Sequence, residues 1–213
     1  MQKFVIMGPP GCGKGTQAKK LCKRFDLTHL SVGDIFRWNI QSHTKLAAKV
    51  KRIIDAGHLV GDDIVDEVIR RRLDEHDWNF GFVLDGFPRN LSQANFLLES
   101  YNVDKVVVLE TPDDVVMERA LARRVCGDCG VDFNLIYHRP ADPNVCDVCG
   151  GKLLARTDDT EVALRKRLAD YHGQTEAAVT KFDQKGLTIH IDGTKPIEAV
   201  FAEVCGELKL AVM

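Results

Sequence analysis

Two groups of residues in this chain have the types and spacing to do chemistry. The first is Gly8-Pro9-Pro10-Gly11-Cys12-Gly13-Lys14-Gly15-Thr16, which directly follows the apolar run Phe4-Val5-Ile6-Met7. A strand that ends in a glycine-rich turn and opens into a helix points backbone N–H groups inward, and the helix N-terminus adds its partial positive charge, so an anion cradle is expected here. Lys14 can reach the β- and γ-phosphates of a nucleotide held there, and the Thr16 hydroxyl can orient a phosphate or hydrated magnesium. In the strict form of this motif the hydroxyl residue follows the lysine directly; here Gly15 intervenes.

The second group is Cys126-Gly127-Asp128-Cys129 and Cys146-Asp147-Val148-Cys149, two C-x2-C knuckles separated by sixteen residues, with Gly130 and Gly150 directly after them. Paired cysteines at this spacing can close a tetrahedral thiolate site for structural zinc, the glycines permitting the tight turns. A redox dithiol would account for one pair but not for two matched pairs. With four thiolates the coordination shell is full, so the metal is expected to staple a lobe too small to fold on its own core. Zinc ribbons also bind nucleic acid, but between Cys126 and Cys149 the charges are Asp128, Asp132, Asp142 and Asp147 against Arg139. That balance is acidic and does not suit phosphate tracking.

The elements that must position these residues are bounded by composition. At 213 residues with 45% hydrophobic content, the chain can bury one substantial core with small inserted lobes. Lys plus Arg number 29 against 31 Asp plus Glu, and a net charge of −2 gives no general attraction to nucleic acid or anionic lipid. The N-terminal apolar run is too short for a signal peptide, and no stretch approaches the ~18 apolar residues of a membrane span, so a cytoplasmic location is expected. Seven cysteines is an odd number. Cys12 and Cys22, about 15 Å apart if on one helix, are too distant to bridge and are expected as free thiols, with Cys205 a small buried residue.

Apolar, β-branched runs at Phe4 to Met7, Phe82 to Leu84, Val106 to Leu109 and Leu187 to Ile191 suit strands buried on both faces, with His29-Leu30-Ser31 as a short fifth. Helical patterns between them predict an α/β fold, a parallel sheet wrapped by helices with ligands at the strands' C-terminal ends. Residues from about Val32 to Val60 read as wholly helical with Gly57 as the stop, and those from about Ala122 to Asp159 as loop-like.

The Gly15-Thr16 ending of the loop, the stretch Leu84-Asp85-Gly86-Phe87-Pro88-Arg89, the helical insert, the cysteine lobe, and Arg156 with Arg165-Lys166-Arg167 together resemble the adenylate kinase family, in its long-lid bacterial form with a four-cysteine zinc lid. The resemblance covers essentially the whole chain in order. It implies a P-loop NTPase-like three-layer fold with a five-stranded parallel sheet in one domain, residues 1–213. The core would be 1–30, 61–121 and 160–213, with a monophosphate-binding insert at 31–60 and a zinc-binding lid at 122–159. It implies an enzyme that moves a phosphoryl group reversibly between ATP with magnesium and AMP to give two ADP; nothing in the sequence suggests more than a monomer, or a nucleic-acid or membrane partner.

By that resemblance Gly11, Cys12, Gly13, Lys14, Gly15 and Thr16 hold the ATP phosphates. Arg119 and Arg123 face ATP, Asp132 and Phe133 touch its base and ribose, and Lys195 offers a backbone contact to its adenine. Arg37 and Arg89 hold the AMP phosphate, while Arg156 and Arg167 reach both nucleotides. Gly86, Val32 and Gln93, with the largely backbone contacts of Gly57, His58, Leu59 and Val60, complete the AMP site, and the Gln93 amide pairs with adenine. Lys14, Arg89, Arg123, Arg156 and Arg167 are the catalytic set. The attacking AMP oxygen is already anionic, so no general base is needed, and the arginines neutralise and align two polyphosphates while water is excluded. Asp85, ending a buried strand beside the loop, would orient magnesium through its water shell.

Plainer roles stand beside these. Arg165 can pair with Glu161 one helical turn away, and Arg70-Arg71-Arg72 fan around a helix as a solvated face. Asp158, three residues before Glu161, suits a capping box as well as a contact with the arginines. Val32 stands where the family usually has a hydroxyl residue and where related pyrimidine monophosphate kinases carry a small apolar one, so a UMP/CMP kinase is the nearest rival reading and a zinc-ribbon regulator without turnover a more distant one.

Overall fold

The computed structural model describes residues 2–77 and 79–210. Along the chain, β1 (Lys3–Met7) leads through the glycine loop into α1 (Lys14–Phe25) and β2 (Thr28–Ser31), followed by α2 (Val32–Gln41), α3 (Lys45–Asp55) and α4 (Asp62–Asp74). Then come β3 (Phe82–Asp85), α5 (Leu91–Ser100), β4 (Lys105–Glu110) and α6 (Asp113–Leu121). The short strands β5 (Arg123–Cys126), β6 (Asp132–Asn134) and β7 (Leu153–Leu154) precede α7 (Glu161–Asp170), a π-helical turn (Tyr171–Thr175), α8 (Glu176–Asp183), β8 (Thr188–Asp192) and α9 (Ile197–Glu207). No helix is long and apolar enough to cross a membrane among the described residues.

Five strands pair in parallel in the order β2-β3-β1-β4-β8. Their alternating side chains feed two cores. Phe4, Ile6, Val83, Val107 and Leu109 pack with Ala18 and Leu21 of α1 and Val200 and Val204 of α9. Val5, Met7, Leu84, Val106 and Val108 pack on the other face with Ile69 and Leu73 of α4, Leu97 of α5 and Phe182 of α8. Burial on both faces is why β1, β3 and β4 read as continuous apolar runs, whereas the edge strand β8, expected to be buried likewise, alternates, with Ile189 and Ile191 inward and His190 exposed between them. The three-layer parallel fold is as expected, and Cys205 lies fully buried in the first core.

The segment from Val32 to Val60, expected to be helical, is built of two helices, α2 and α3. The chain breaks after α2 at His43, whose φ is 54°, and restarts where the Thr44 hydroxyl accepts from the Ala47 N–H at 3.4 Å. Gly57 ends the second helix with φ 78°, and a Cβ there would lie 2.6 Å from the Ala163 carbonyl oxygen, so α3 closes directly against the start of α7. The region expected to be loop-like contains a three-stranded antiparallel sheet in the order β6-β5-β7. β5, β6 and β7 have four, three and two residues, and the small core beneath them is Phe133, Leu153, Cys126 and Cys146. Segments so short carry no readable period.

Candidate active site

The glycine loop lies at the C-terminal end of β1. Gly8, Gly11 and Gly13 have φ of 140°, 81° and 105°, a backbone only glycine adopts without strain, and a Cβ on Gly8 would meet the Leu109 carbonyl oxygen at 2.5 Å. Lys14 Nζ donates to the carbonyls of Gly8 at 2.8 Å and Pro9 at 2.6 Å, so the ammonium is held over the loop by its own backbone. Gly15 has a local reason: a Cβ there would stand 3.3 Å from Asp85 Oδ2. The glycine lets the carboxylate at the end of β3 come up against the first turn of α1. His29 Nε2 lies 3.3 Å from the same oxygen. The Cys12 side chain is buried in the core cluster that holds Ala18 and Leu109, and its Sγ accepts from Lys14 Nζ at 3.6 Å.

A cavity of about 930 Å³ opens over this loop. Gly11, Cys12, Gly13, Lys14, Gly15 and Thr16 line one side, and Arg119, Arg123, Asp132, Phe133 and Lys195 line another. Arg156 also lines it, as does Asp85. A second cavity of about 50 Å³ adjoins it, lined by Val32, Gly57, His58, Leu59, Val60 and Gln93. Arg37, Gly86, Arg89 and Arg167 line both. The two residue sets singled out in the sequence are therefore gathered into two adjoining spaces, with arginines at their junction.

Carboxylates hold these arginines in place. Arg123 meets Asp159 with two parallel bonds, Nε to Oδ2 at 2.7 Å and Nη2 to Oδ1 at 2.6 Å. Arg156 Nη2 donates to Asp132 Oδ1 at 2.7 Å, and Lys19 of α1 takes the other oxygen at 2.7 Å. Arg167 Nη1 reaches Asp158 Oδ2 at 3.1 Å, and Arg37 Nη2 donates to Asp34 Oδ1. Burial pushes the Asp158 carboxyl up, but Arg167, then Arg37 and Arg156, override this and hold it below the usual carboxylate range. Asp132 is likewise held down, by Arg156 and Lys19 against its own burial. Burial, with Arg167 next, pulls the Arg89 guanidinium down to about 10, still charged at neutral pH. Arg156 Nε is buried without a hydrogen-bond partner among the described residues.

Asp158 is not a cap. The Thr160 hydroxyl accepts from the Ala163 N–H at 3.2 Å and caps α7, which leaves Asp158 to face Arg167. Arg165 pairs with Glu161 at 2.7 Å on the exposed face of that helix, outside the site, as expected. The sequence reading missed Asp159, Lys19 and Tyr137. An acidic pair, Asp158-Asp159, ahead of an arginine-rich helix was the available signal for the first.

Arg119 is fixed by the carbonyls of Gly193 at 2.6 Å and Thr194 at 3.1 Å, and its guanidinium carbon lies 4.9 Å from the centre of the Tyr137 ring. Lys195 turns its side chain away to Glu203 at 2.6 Å, so only its backbone is free to serve the cavity. Phe133 stacks on His138, centroids 5.4 Å apart. The π-helical turn after α7 carries Tyr171 to the cavity wall, and the Thr175 hydroxyl donates to the Arg89 carbonyl at 2.7 Å. π-turns recur where a helix must place side chains off its regular register.

The four lid cysteines come together. Their Sγ atoms all lie within 4.8 Å of one another, with Cys126 and Cys149 at 3.4 Å and Cys129 and Cys146 at 3.6 Å. A disulfide needs about 2.05 Å, whereas sulfurs about 2.3 Å from a tetrahedral ion stand about 3.8 Å apart. The cluster could bind a metal ion. Gly130 and Gly150 adopt φ of 71° and 73°, and their N–H groups close the knuckles on the carbonyls of Cys126 and Cys146. The Cys129 N–H also donates to Cys126 Sγ, at 3.5 Å.

Comparison with known proteins places this geometry in context. A family model described as "Adenylate kinase" matches residues 6–187. A protein of Caldicellulosiruptor bescii called adenylate kinase is 44% identical over 207 residues, covering 95% of this chain and 96% of its own length. Proteins of the same name from Clostridium tetani and Methanosarcina barkeri are 40% and 41% identical, over 96% and 97% of this chain and 97% and 98% of their own lengths.

Proposed function

The chain belongs to the adenylate kinase family and is a nucleoside monophosphate kinase; from that premise we propose that it transfers the γ-phosphoryl group of magnesium-bound ATP to AMP reversibly, giving two ADP, and so balances the adenine nucleotides. The observation that carries this reading is the pair of adjoining cavities, one over the glycine loop and one beside Gln93, with Arg37, Arg89 and Arg167 common to both walls.

ATP would occupy the larger cavity, its phosphates on the N–H groups of Gly11 to Thr16. Lys14, released from its two loop carbonyls, would follow the γ-phosphate. Its adenine would lie against Arg119, with Asp132, Phe133 and the Lys195 backbone around base and ribose. AMP would enter the smaller cavity, its base beside Val32 and Gln93 among the backbone of Gly57, His58, Leu59 and Val60, and its phosphate at Arg37 and Arg89 over Gly86. Arg123 would face the ATP phosphates, and Arg156 and Arg167 would reach both nucleotides. Anionic phosphates would take over bonds that Asp132, Asp158 and Asp159 now make, a like-for-like exchange that keeps the arginines oriented throughout. The transferring group needs positioning and charge neutralisation and no proton acceptor, which fits a site rich in arginine.

Asp85 fits magnesium held through water: its carboxylate lines the larger cavity beside the loop and comes up against α1 at Gly15. Magnesium supplies charge neutralisation on the ATP phosphates. Cys126, Cys129, Cys146 and Cys149 fit structural zinc, which would fold the small sheet and leave no open coordination position. We take residues 31–60 and 122–159 as lobes hinged on the core of 1–30, 61–121 and 160–213. Their closure removes water, to which the phosphoryl group would otherwise be lost. One chain carries the complete site, so a monomer suffices.

The test is acceptor choice. With MgATP as donor, AMP should give the highest kcat/KM, with CMP and UMP well below it. Preference for either pyrimidine would overturn the base assignment, and absence of turnover with all three would overturn the activity.

A further inference from the structure

We propose that Asp62 sets the base preference of the acceptor site by fixing which way the Gln93 amide points; this rests on the reading of Gln93 as the residue that pairs with the acceptor base. Gln93 is buried, and both ends of its amide are engaged. The backbone N–H of Arg89 donates to Oε1 at 2.8 Å, and Nε2 donates to Asp62 Oδ1 at 2.7 Å. A backbone N–H can only donate and an ionised carboxylate can only accept, so these two partners leave the amide one orientation. Asn90 reinforces it. Its Nδ2 donates to the same Asp62 oxygen at 2.8 Å, while its own oxygen caps α5 at the Gln93 N–H, 2.9 Å away.

After these bonds Gln93 retains one N–H and one oxygen lone pair beside the small cavity it lines with Val32. That pair complements adenine, whose ring nitrogen N1 accepts and whose exocyclic amino group donates. Hypoxanthine presents the reverse, a donating N1–H and an accepting carbonyl, and would need the amide turned over. Of the two restraints, the bond to Asp62 is charge-assisted and the stronger. Asp62 lines neither cavity, so it acts through Gln93 as a positioning residue. The Val32 side chain adds packing without hydrogen-bonding capacity, so among the side chains named for the base site the donor and acceptor order of the Gln93 amide separates the two bases.

The experiment measures kcat and KM for AMP and IMP with MgATP in the wild type, Asp62→Ala, Asp62→Asn and Gln93→Ala, with a melting curve for each. Asp62→Ala should narrow the AMP-over-IMP ratio of kcat/KM at least about tenfold, mainly through KM. Asp62→Asn should keep most of the ratio, because its amide oxygen can still accept from Gln93. Where the alanine variant is unstable, Asp62→Ser is read in its place; it keeps a hydroxyl in the first turn of α4 but is too short to reach Gln93. Equal losses for AMP and IMP in Asp62→Ala, or loss of the ratio in Asp62→Asn as complete as in Asp62→Ala, would overturn the proposal. If Gln93→Ala collapses the ratio and Asp62→Ala leaves it intact, Asp62 is wrongly assigned and the reading of Gln93 stands. If Gln93→Ala leaves the ratio intact, that reading fails and the role of Asp62 with it.

Discussion

Arg123 and Asp159 face each other in a two-bond pair, 2.7 Å and 2.6 Å, with the Asp159 side chain 2% exposed. A fork this well matched sets the plane of the guanidinium as well as its position. Removing the carboxylate leaves a charge desolvated without its partner. Asp159→Ala is therefore expected to lower stability by about 3 kcal/mol and to cut kcat/KM by one to two orders of magnitude. Denaturant unfolding and steady-state kinetics check both; a variant with wild-type stability would show the pair to be incidental.

The acid limb of stability should carry the signature of Asp158. Its folded-state pKa lies below the unfolded value of about 3.9, so its contribution is fully present above that value and is lost as pH falls through the lower, folded one. The wild type should show little change from this group between pH 7 and pH 5 and a decline below about pH 4. Asp158→Asn should melt lower at neutral pH and converge on the wild type in acid. Parallel curves down to pH 3 would contradict the assignment.

How far such a site can be read from sequence depends on what kind of contact builds it. Phe4 to Met7 and Val106 to Leu109 were legible because strands buried on both faces must be apolar throughout, and Gly57 because a helix stop needs its φ. The glycine loop and the four cysteines were legible because backbone and metal geometry fix residue type and spacing locally. Asp159, Lys19 and Asp62 were not. Each meets its partner across 36, 113 or 31 residues of chain, and an exposed aspartate in sequence looks the same as one turned inward. The Asp158 cap failed for a related reason: Thr160, two residues on, already supplied the oxygen.

Metal removal should loosen the lid. The purified protein is expected to hold about one zinc per chain, and chelation should lower the melting temperature. Thiol titration gives an independent count. Cys12 and Cys205 are buried, and burial, with Asp85 next, pushes the Cys22 thiol up to about 12, which makes it a poor nucleophile. Few thiols should react in the metal-bound protein at neutral pH, and about four more after chelation. An unchanged melting curve and thiol count would disprove the staple.

Lys14→Ala should reduce turnover by at least two to three orders of magnitude with little change in melting temperature, because its partners in the structure are two loop carbonyls that water can satisfy and the weakly accepting Cys12 sulfur. Near-normal turnover would remove Lys14 from the mechanism.

In the proposed reaction the phosphoryl group passes to AMP inside a space from which water is excluded. The most direct measurement follows ATP, AMP, ADP and inorganic phosphate together by phosphorus NMR as the protein turns over MgATP with AMP. One AMP consumed and two ADP formed for each ATP, with negligible inorganic phosphate, is the expected result. Inorganic phosphate rising in step with ATP loss while AMP persists would contradict it.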